Sequence, residues 1–96
     1  MSEIELHFQD VFSGEEIEIL LNDKVVAKRS MKTRFQTGLA HIEKLNVDLG
    51  DEIEVRVAGQ SSGDSIKVLQ NIYDYRITMS NASINIEASK DRLRYL

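Results

Sequence analysis

Apolar and polar residues alternate along most of the chain, beginning near its first residue. Ile4, Leu6 and Phe8 alternate with Glu5 and His7. A period of two is typical of a β-strand with one buried and one exposed face. The same pattern recurs in later segments, at 15–21, 24–31, 53–57, 73–79 and 84–88, and a further strand begins at 66.

Short strands at short intervals, joined by turns rich in Gly, Asn and Asp, predict an all-β fold. We expect an antiparallel β-sandwich of about seven strands. A small β-barrel is the alternative, because it has the same alternation. The predicted core consists of apolar strand positions: Ile4, Leu6, Phe8, Ile17, Ile19, Ile53, Val55, Val57, Tyr75, Ile77, Ile84 and Ile86.

Two of these strands are joined by a tight polar turn, Asn22-Asp23. Both residues can adopt the positive φ angles of a two-residue hairpin loop. The charged residues before this turn are all acidic, and those at 24–34 are all basic. In a hairpin, Glu16 and Glu18 can lie across from Lys28, where opposite charges stabilise an antiparallel pair.

The segment at 37–46 fits two structures. Its apolar spacing suits a short amphipathic helix with Thr37 as the N-cap. Gly38 would lie in the first turn of that helix, and residues 40–49 also alternate, which favours a strand. A sandwich with one short helix near residues 37–46 is therefore a further alternative. By contrast, Gly and Ser residues at 59–64 predict a flexible connection outside both neighbouring strands.

The chain has 96 residues, which predicts a single domain spanning 1–96. It contains no cysteine and no proline, so disulfide bonds and thiolate metal sites are excluded. Neither a secretory signal nor an apolar stretch long enough for a membrane helix is evident. We therefore expect a cytoplasmic protein, unless the sequence is a piece of a longer chain.

The middle of the chain has a recurring arrangement of strand and turn residues. The run Thr37-Gly38-Leu39-Ala40-His41-Ile42 and Leu45 precede the turn Leu49-Gly50-Asp51 and the strand Ile53-Glu54-Val55-Arg56-Val57. This arrangement resembles immunoglobulin-like and transthyretin-like accessory domains, and the resemblance implies a sandwich of immunoglobulin-like general form. The chain lacks the cysteines and tryptophan of antibody-type domains. Such domains serve adhesion, carbohydrate binding, spacing and assembly, so the resemblance selects no single function.

The residues that could support catalysis or bind a cofactor are sparse. His7 and His41 both fall at polar positions, where we expect surface histidines, and no nucleophile motif surrounds a serine. The spacing of the histidines predicts no zinc site. Acidic turn residues, such as Asp48 and Asp51, could supply oxygen ligands to calcium, but without the spacing of a known calcium loop. We predict no enzyme activity, no cofactor and no metal.

The basic segment is the best candidate for a partner-binding surface. It contains five cations and a following aromatic residue: Lys24, Lys28, Arg29, Lys32, Arg34 and Phe35. Such a run could follow a phosphate backbone, but the net charge of −4 argues against nucleic acid as a partner. Pairing with the glutamates of the preceding strand is the simpler interpretation.

Tyr73 and Tyr75 share one face of a predicted strand. Exposed tyrosines on a strand can stack on sugar rings, whereas burial of both in the core is the simpler interpretation, because the chain has few aromatic residues. We predict a non-enzymatic protein-interaction or accessory module, which meets another protein or a second copy through an edge strand. A carbohydrate-binding module is the alternative.

Overall fold

The described residues form eight β-strands and their turns, with no helix. The computed structural model describes residues 2–10, 13–32, 39–59, 63–80 and 83–90. The strands are β1 (Ser2–Asp10), β2 (Ser13–Leu21), β3 (Lys24–Lys32), β4 (Leu39–Val47), β5 (Glu52–Val57), β6 (Gly63–Lys67), β7 (Asp74–Ser80) and β8 (Ser83–Ser89). Within the described ranges, no helix is long and apolar enough to span a membrane. The predicted all-β sandwich is confirmed, with eight strands rather than about seven.

The strands form two four-stranded sheets. Sheet one has the order β4-β1-β7-β8, and sheet two has the order β3-β2-β5-β6. All neighbouring strands are antiparallel except β1 and β7, which are parallel. Strands β1 and β7 are far apart in the sequence, and their pairing brings them together in the middle of sheet one.

The core lies between the two sheets and follows the alternation of the sequence. Phe8 and Tyr75 are the largest fully buried side chains in it. Ten of the predicted core positions are buried, while Val57 and Ile84 are partly buried and pack against the others. Ala27 and Met31 also reach the core from β3, whose other residues are exposed.

The β2–β3 hairpin closes through the predicted turn. Asn22 and Asp23 have φ angles of 50° and 69°, the left-handed conformation that this turn requires. The Asn22 side chain also reaches the turn before β5, where it donates to Asp51 Oδ1 at 3.1 Å and accepts from the Glu52 amide at 2.9 Å. The residue therefore fixes the hairpin turn against a second turn.

The ambiguous segment is a strand where the structure describes it. Leu39–Val47 forms β4 and pairs with β1, and Leu45 lies opposite Ile4. The helix alternative is wrong for these residues, because alternation places Leu45 and Val47 on the core side of an edge strand. Residues 37 and 38 lie outside the described ranges.

The predicted connection at 59–64 is shorter than expected. Gly63 and Asp64 already belong to β6, opposite Arg56 and Val55. A side chain at position 63 would collide with the Val55 carbonyl oxygen, so this close approach of two strands needs glycine. Glycine therefore serves strand packing here, which is why composition alone gave the wrong boundary.

Candidate functional site

Strand β3 is a long edge strand of sheet two. In the described part of the chain it pairs only with β2. The Glu16 carbonyl accepts from the Ala58 amide on the far side of β2, at 2.8 Å, so the opposing Ser30 directs its N–H and C=O away from the sheet. Val25 and Val26 are exposed at the start of the strand. This edge therefore presents backbone groups that a further strand can bind.

Residues of the predicted basic surface contact different carboxylates in the structure. Lys28 lies opposite Glu18, and its Nζ is 3.5 Å from Glu18 Oε2 and 3.7 Å from Glu16 Oε1. Arg29 instead reaches across to sheet one, with Nε 3.4 Å from Glu43 Oε1. The predicted pairing of Lys28 with the glutamates is confirmed.

Four further residues belong to the predicted basic surface: Lys24, Lys32, Arg34 and Phe35. Lys24 and Lys32 are exposed and form no ion pair with any residue of the described ranges. Arg34 and Phe35 lie outside those ranges. The two lysines without an ion-pair partner among the described residues therefore lie at the two ends of β3.

Glu18 connects the hairpin to β5 through charge. Arg56 Nε donates to Glu18 Oε1 at 2.9 Å. This hydrogen bond, with a smaller contribution from Lys28, lowers the pKa of Glu18 below its ordinary value of 4.5. The outer face of sheet two is thus a network of alternating charges that holds β3, β2 and β5 in register.

The opposite side of the sandwich is less open to a partner strand. Its edge strands are β6 and β8, which contact each other. Asp64 Oδ2 accepts a hydrogen bond from the Ile86 amide at 2.9 Å. A side chain of sheet two therefore satisfies a backbone donor at the edge of sheet one, and this donor is not available to a partner strand. The longest edges, β3 and β4, lie together on the other side.

A groove of about 270 Å³ lies at one end of the sandwich. Exposed apolar side chains, Leu49 and Leu69, line it together with Tyr73 and the amides of Gln70 and Asn71. All of its lining residues are uncharged. The groove is therefore suited to a neutral ligand.

The two candidate tyrosines have different environments. Tyr75 is fully buried, and its hydroxyl accepts from the Leu69 amide at 3.1 Å and donates to the Ile72 carbonyl at 3.4 Å. Tyr73 precedes β7 and is 42% exposed. Core burial is thus confirmed for Tyr75 and wrong for Tyr73, because the strand that would carry Tyr73 into the core begins one residue later.

A polar cluster lies on the face of sheet one that points away from the core. It consists of Glu5, His7 and Asp74, whose ligand atoms all lie within 4.8 Å of one another. His7 Nε2 is 2.9 Å from Glu5 Oε1 and 3.8 Å from Asp74 Oδ2. His7 and Asp74 are each only 1% exposed. The prediction that His7 lies at the surface is therefore wrong, although its phase along the strand is the polar one.

The second histidine forms a similar pair without the third group. His41 Nε2 is 2.8 Å from Glu43 Oε1 on the edge strand β4, and its ring packs near Phe8 with a centroid distance of 6.3 Å. The His41 side chain is 36% exposed. The structure does not bring the two histidines into one site.

The acidic turn before β5 uses its carboxylate oxygens for structure. Asp51 Oδ2 accepts from the Asp48 amide at 2.8 Å, and Oδ1 accepts from Asn22. These two hydrogen bonds lower the pKa of Asp51 below its ordinary value of 3.8. The turn is therefore held by the oxygens that the sequence offered as calcium ligands.

No protein family, curated protein or solved structure matches the chain. The resemblance to immunoglobulin-like and transthyretin-like domains therefore stays a prediction. Sequence reasoning named the basic segment of β3 and Tyr73 as candidates but missed the Glu5, His7 and Asp74 cluster. The i,i+2 spacing of Glu5 and His7 was a signal for part of it, since such residues share a strand face.

Proposed function

We propose that this chain is a non-enzymatic protein-binding module, which takes up a strand of another protein along the edge of β3. The observation that carries the proposal is the exposed length of β3, where Ser30 directs backbone groups outward. Strand addition gains affinity from main-chain hydrogen bonds and specificity from side chains on alternate positions. The strand has nine residues, and its register with β2 shifts near Val26, so residues 27–31 form the regular stretch of edge that is available for such pairing.

The charges of β3 favour an acidic partner strand. Lys24, Lys28, Arg29 and Lys32 provide its charged side chains, and none of its residues is acidic. Two copies paired through β3 about an axis at Lys28 would place one Lys28 opposite the other, and an axis at Ser30 would place Lys28 opposite Lys32. Like charges directly opposite each other destabilise a strand pair, so we favour a different protein over a second copy.

A designed peptide tests this proposal without a known partner. The probe is a capped peptide as long as β3 in which glutamate alternates with valine, and the control peptide has lysine in place of glutamate. We expect the glutamate peptide to shift the backbone amide signals of Lys28 and Ser30 in a ¹⁵N NMR spectrum. Binding should weaken with added salt, because the attraction is between exposed charges.

Two variants at one position provide the matched control. Ser30→Pro removes an outward N–H and should abolish the shifts, whereas Ser30→Ala retains the N–H and should preserve them. Replacing Lys24 and Lys32 by glutamine should weaken binding without unfolding the protein, because neither forms an ion pair with a described residue. Equal shifts with both peptides, or binding that survives Ser30→Pro, would overturn the proposal.

A second candidate function is binding of a neutral carbohydrate in the groove. The supporting observation is the exposed Tyr73 ring beside Gln70 and Asn71, since sugars bind through stacking on aromatic rings and hydrogen bonds to amides. The absence of charge among the lining residues also favours a neutral ligand.

NMR titration with a panel of neutral oligosaccharides tests this second candidate. We expect shifts at residues 69–73 that disappear in Tyr73→Ala and persist in Val26→Ala, which removes exposed apolar surface that does not line the groove. A spectrum in which no oligosaccharide moves these signals would exclude the carbohydrate function for the panel used.

A further inference from the structure

We propose that Glu5, His7 and Asp74 bind one divalent transition-metal ion, for which Zn²⁺ is the test probe. The proposal is independent of the protein-binding function. It depends on the donor set, on the distances between the donor atoms and on the burial of two of the three residues. One imidazole nitrogen and two carboxylate oxygens are ligands that zinc accepts in proteins.

Two neighbouring strands bring the three side chains to one place. Glu5 and His7 are two residues apart on β1, so they lie on the same face. Asp74 is the register partner of Glu5 in the parallel β1–β7 pair, and the Glu5 amide donates to the Tyr73 carbonyl at 2.7 Å. The backbones of two central strands therefore fix the positions of all three donors.

The distances fit a single ion bound by all three residues. Ligand atoms that are each about 2.0–2.2 Å from one zinc ion lie roughly 3–4 Å from one another in tetrahedral geometry. His7 Nε2 lies 2.9 Å from Glu5 Oε1 and 3.8 Å from Asp74 Oδ2, close to this range, and the carboxylate oxygens of Glu5 and Asp74 lie within 4.8 Å of each other. A water molecule would complete a four-coordinate site.

Burial distinguishes this cluster from ordinary surface carboxylates. His7 and Asp74 are 1% exposed, and the Glu5 side chain is 22% exposed. Electrostatic attraction between carboxylates and a cation is stronger at a buried site than in bulk water.

Metal binding changes one hydrogen bond of the cluster. The hydrogen bond between Glu5 Oε1 and His7 Nε2 requires a hydrogen on one of the two atoms. On metal binding that hydrogen is transferred to solvent water. The neutral imidazole then carries one hydrogen, on Nδ1, which water supplies where Nδ1 had none, and the Nε2 lone pair faces the ion. Glu5 and Asp74 bind the same ion as carboxylates.

Isothermal titration calorimetry of metal-free, untagged protein with Zn²⁺ tests the site. We expect one ion per chain in the wild type. Glu5→Gln and Asp74→Asn should each weaken binding by at least the ~10–100-fold that loss of a supporting residue costs at a metal site. The matched control is His41→Gln, which removes the other His–Glu pair and should leave the affinity unchanged.

A second readout identifies the ligands without relying on stability. Co²⁺ in a four-coordinate site gives visible absorption bands, and His7 should show the largest ring-proton shifts in NMR spectra. Glu5→Gln keeps the shape of a partly exposed side chain, so circular dichroism should confirm that it folds. Absence of zinc binding to the wild type, or loss of binding in His41→Gln to the same extent as in Glu5→Gln, would overturn the proposal.

Discussion

Asn22 is a single residue that fixes both a turn conformation and a contact between turns. Its φ of 50° is strained for most side chains, and its amide group bonds to Asp51 and Glu52. We expect Asn22→Ala to lower the free energy of unfolding by about 2 kcal/mol, from the loss of hydrogen bonds and added backbone strain. Urea denaturation measures the change.

Glycine variants separate the two contributions of Asn22. Asn22→Gly retains the positive φ and loses only the side-chain contacts, so it should be more stable than Asn22→Ala. Asp23→Gly should cost little, because Asp23 has a φ of 69° that glycine adopts freely. If Asn22→Gly matched the wild type, the bonds to the second turn would have no role in stability.

The lowered pKa values of Glu18 and Asp51 predict loss of stability in acid. A carboxyl group whose pKa is lower in the folded than in the unfolded state stabilises the fold at pH values above its unfolded pKa. That contribution is lost as the pH falls through the folded value, below the ordinary 4.5 of Glu18 and 3.8 of Asp51. We therefore expect the urea concentration at the unfolding midpoint to decrease as the pH is lowered below about 4.

Amide variants assign this acid sensitivity to the two residues. Glu18→Gln and Asp51→Asn should each reduce the difference in urea midpoint between pH 7 and acid. Glu3→Gln is the matched control, at an exposed position of β1, and should leave that difference unchanged. A pH profile that is the same in all three variants would contradict the assignment.

At the scale of single elements, alternation was sufficient to locate most strands. It succeeded for β1, β2, β3 and β5, because each packs one face on the core and exposes the other. It failed at Gly63, where glycine permits a close strand contact instead of a loop, and at Tyr73, where regular pairing has not yet begun. Local composition cannot distinguish these cases, since the deciding contacts come from distant segments.

Asp64 provides a test of how one edge element is protected. Its carboxylate accepts from the Ile86 amide at the edge of β8. Asp64→Ala would leave that donor to water and should accelerate hydrogen exchange of the Ile86 amide, with a loss of about 1–2 kcal/mol in stability. Asp64→Asn keeps an acceptor oxygen and should have a smaller effect. Unchanged exchange at Ile86 in Asp64→Ala would exclude this protective contact.

At the scale of the whole molecule, topology determines what the sequence could not predict. The parallel pairing of β1 and β7 places Asp74 beside His7, although the two residues are far apart in sequence. Alternation assigns each side chain to a face but does not specify which strands become neighbours. The candidate metal site and the edge position of β3 therefore required the structure, whereas the β2–β3 hairpin was already recognisable from the sequence.

The shared core predicts that both sheets unfold together. Phe8 is fully buried in sheet one, in a single apolar cluster that also contains Val55 of sheet two. Phe8→Ala should cost about 3–5 kcal/mol, a large fraction of the ~5–15 kcal/mol available to a domain. If the sheets form one cooperative unit, the variant must lose hydrogen-exchange protection at Val55 as much as at Ile77, while the exposed Val26→Ala leaves both unchanged. Retained protection at Val55 would mean that sheet two is stable without the contribution of Phe8, and that the two sheets are separate folding units.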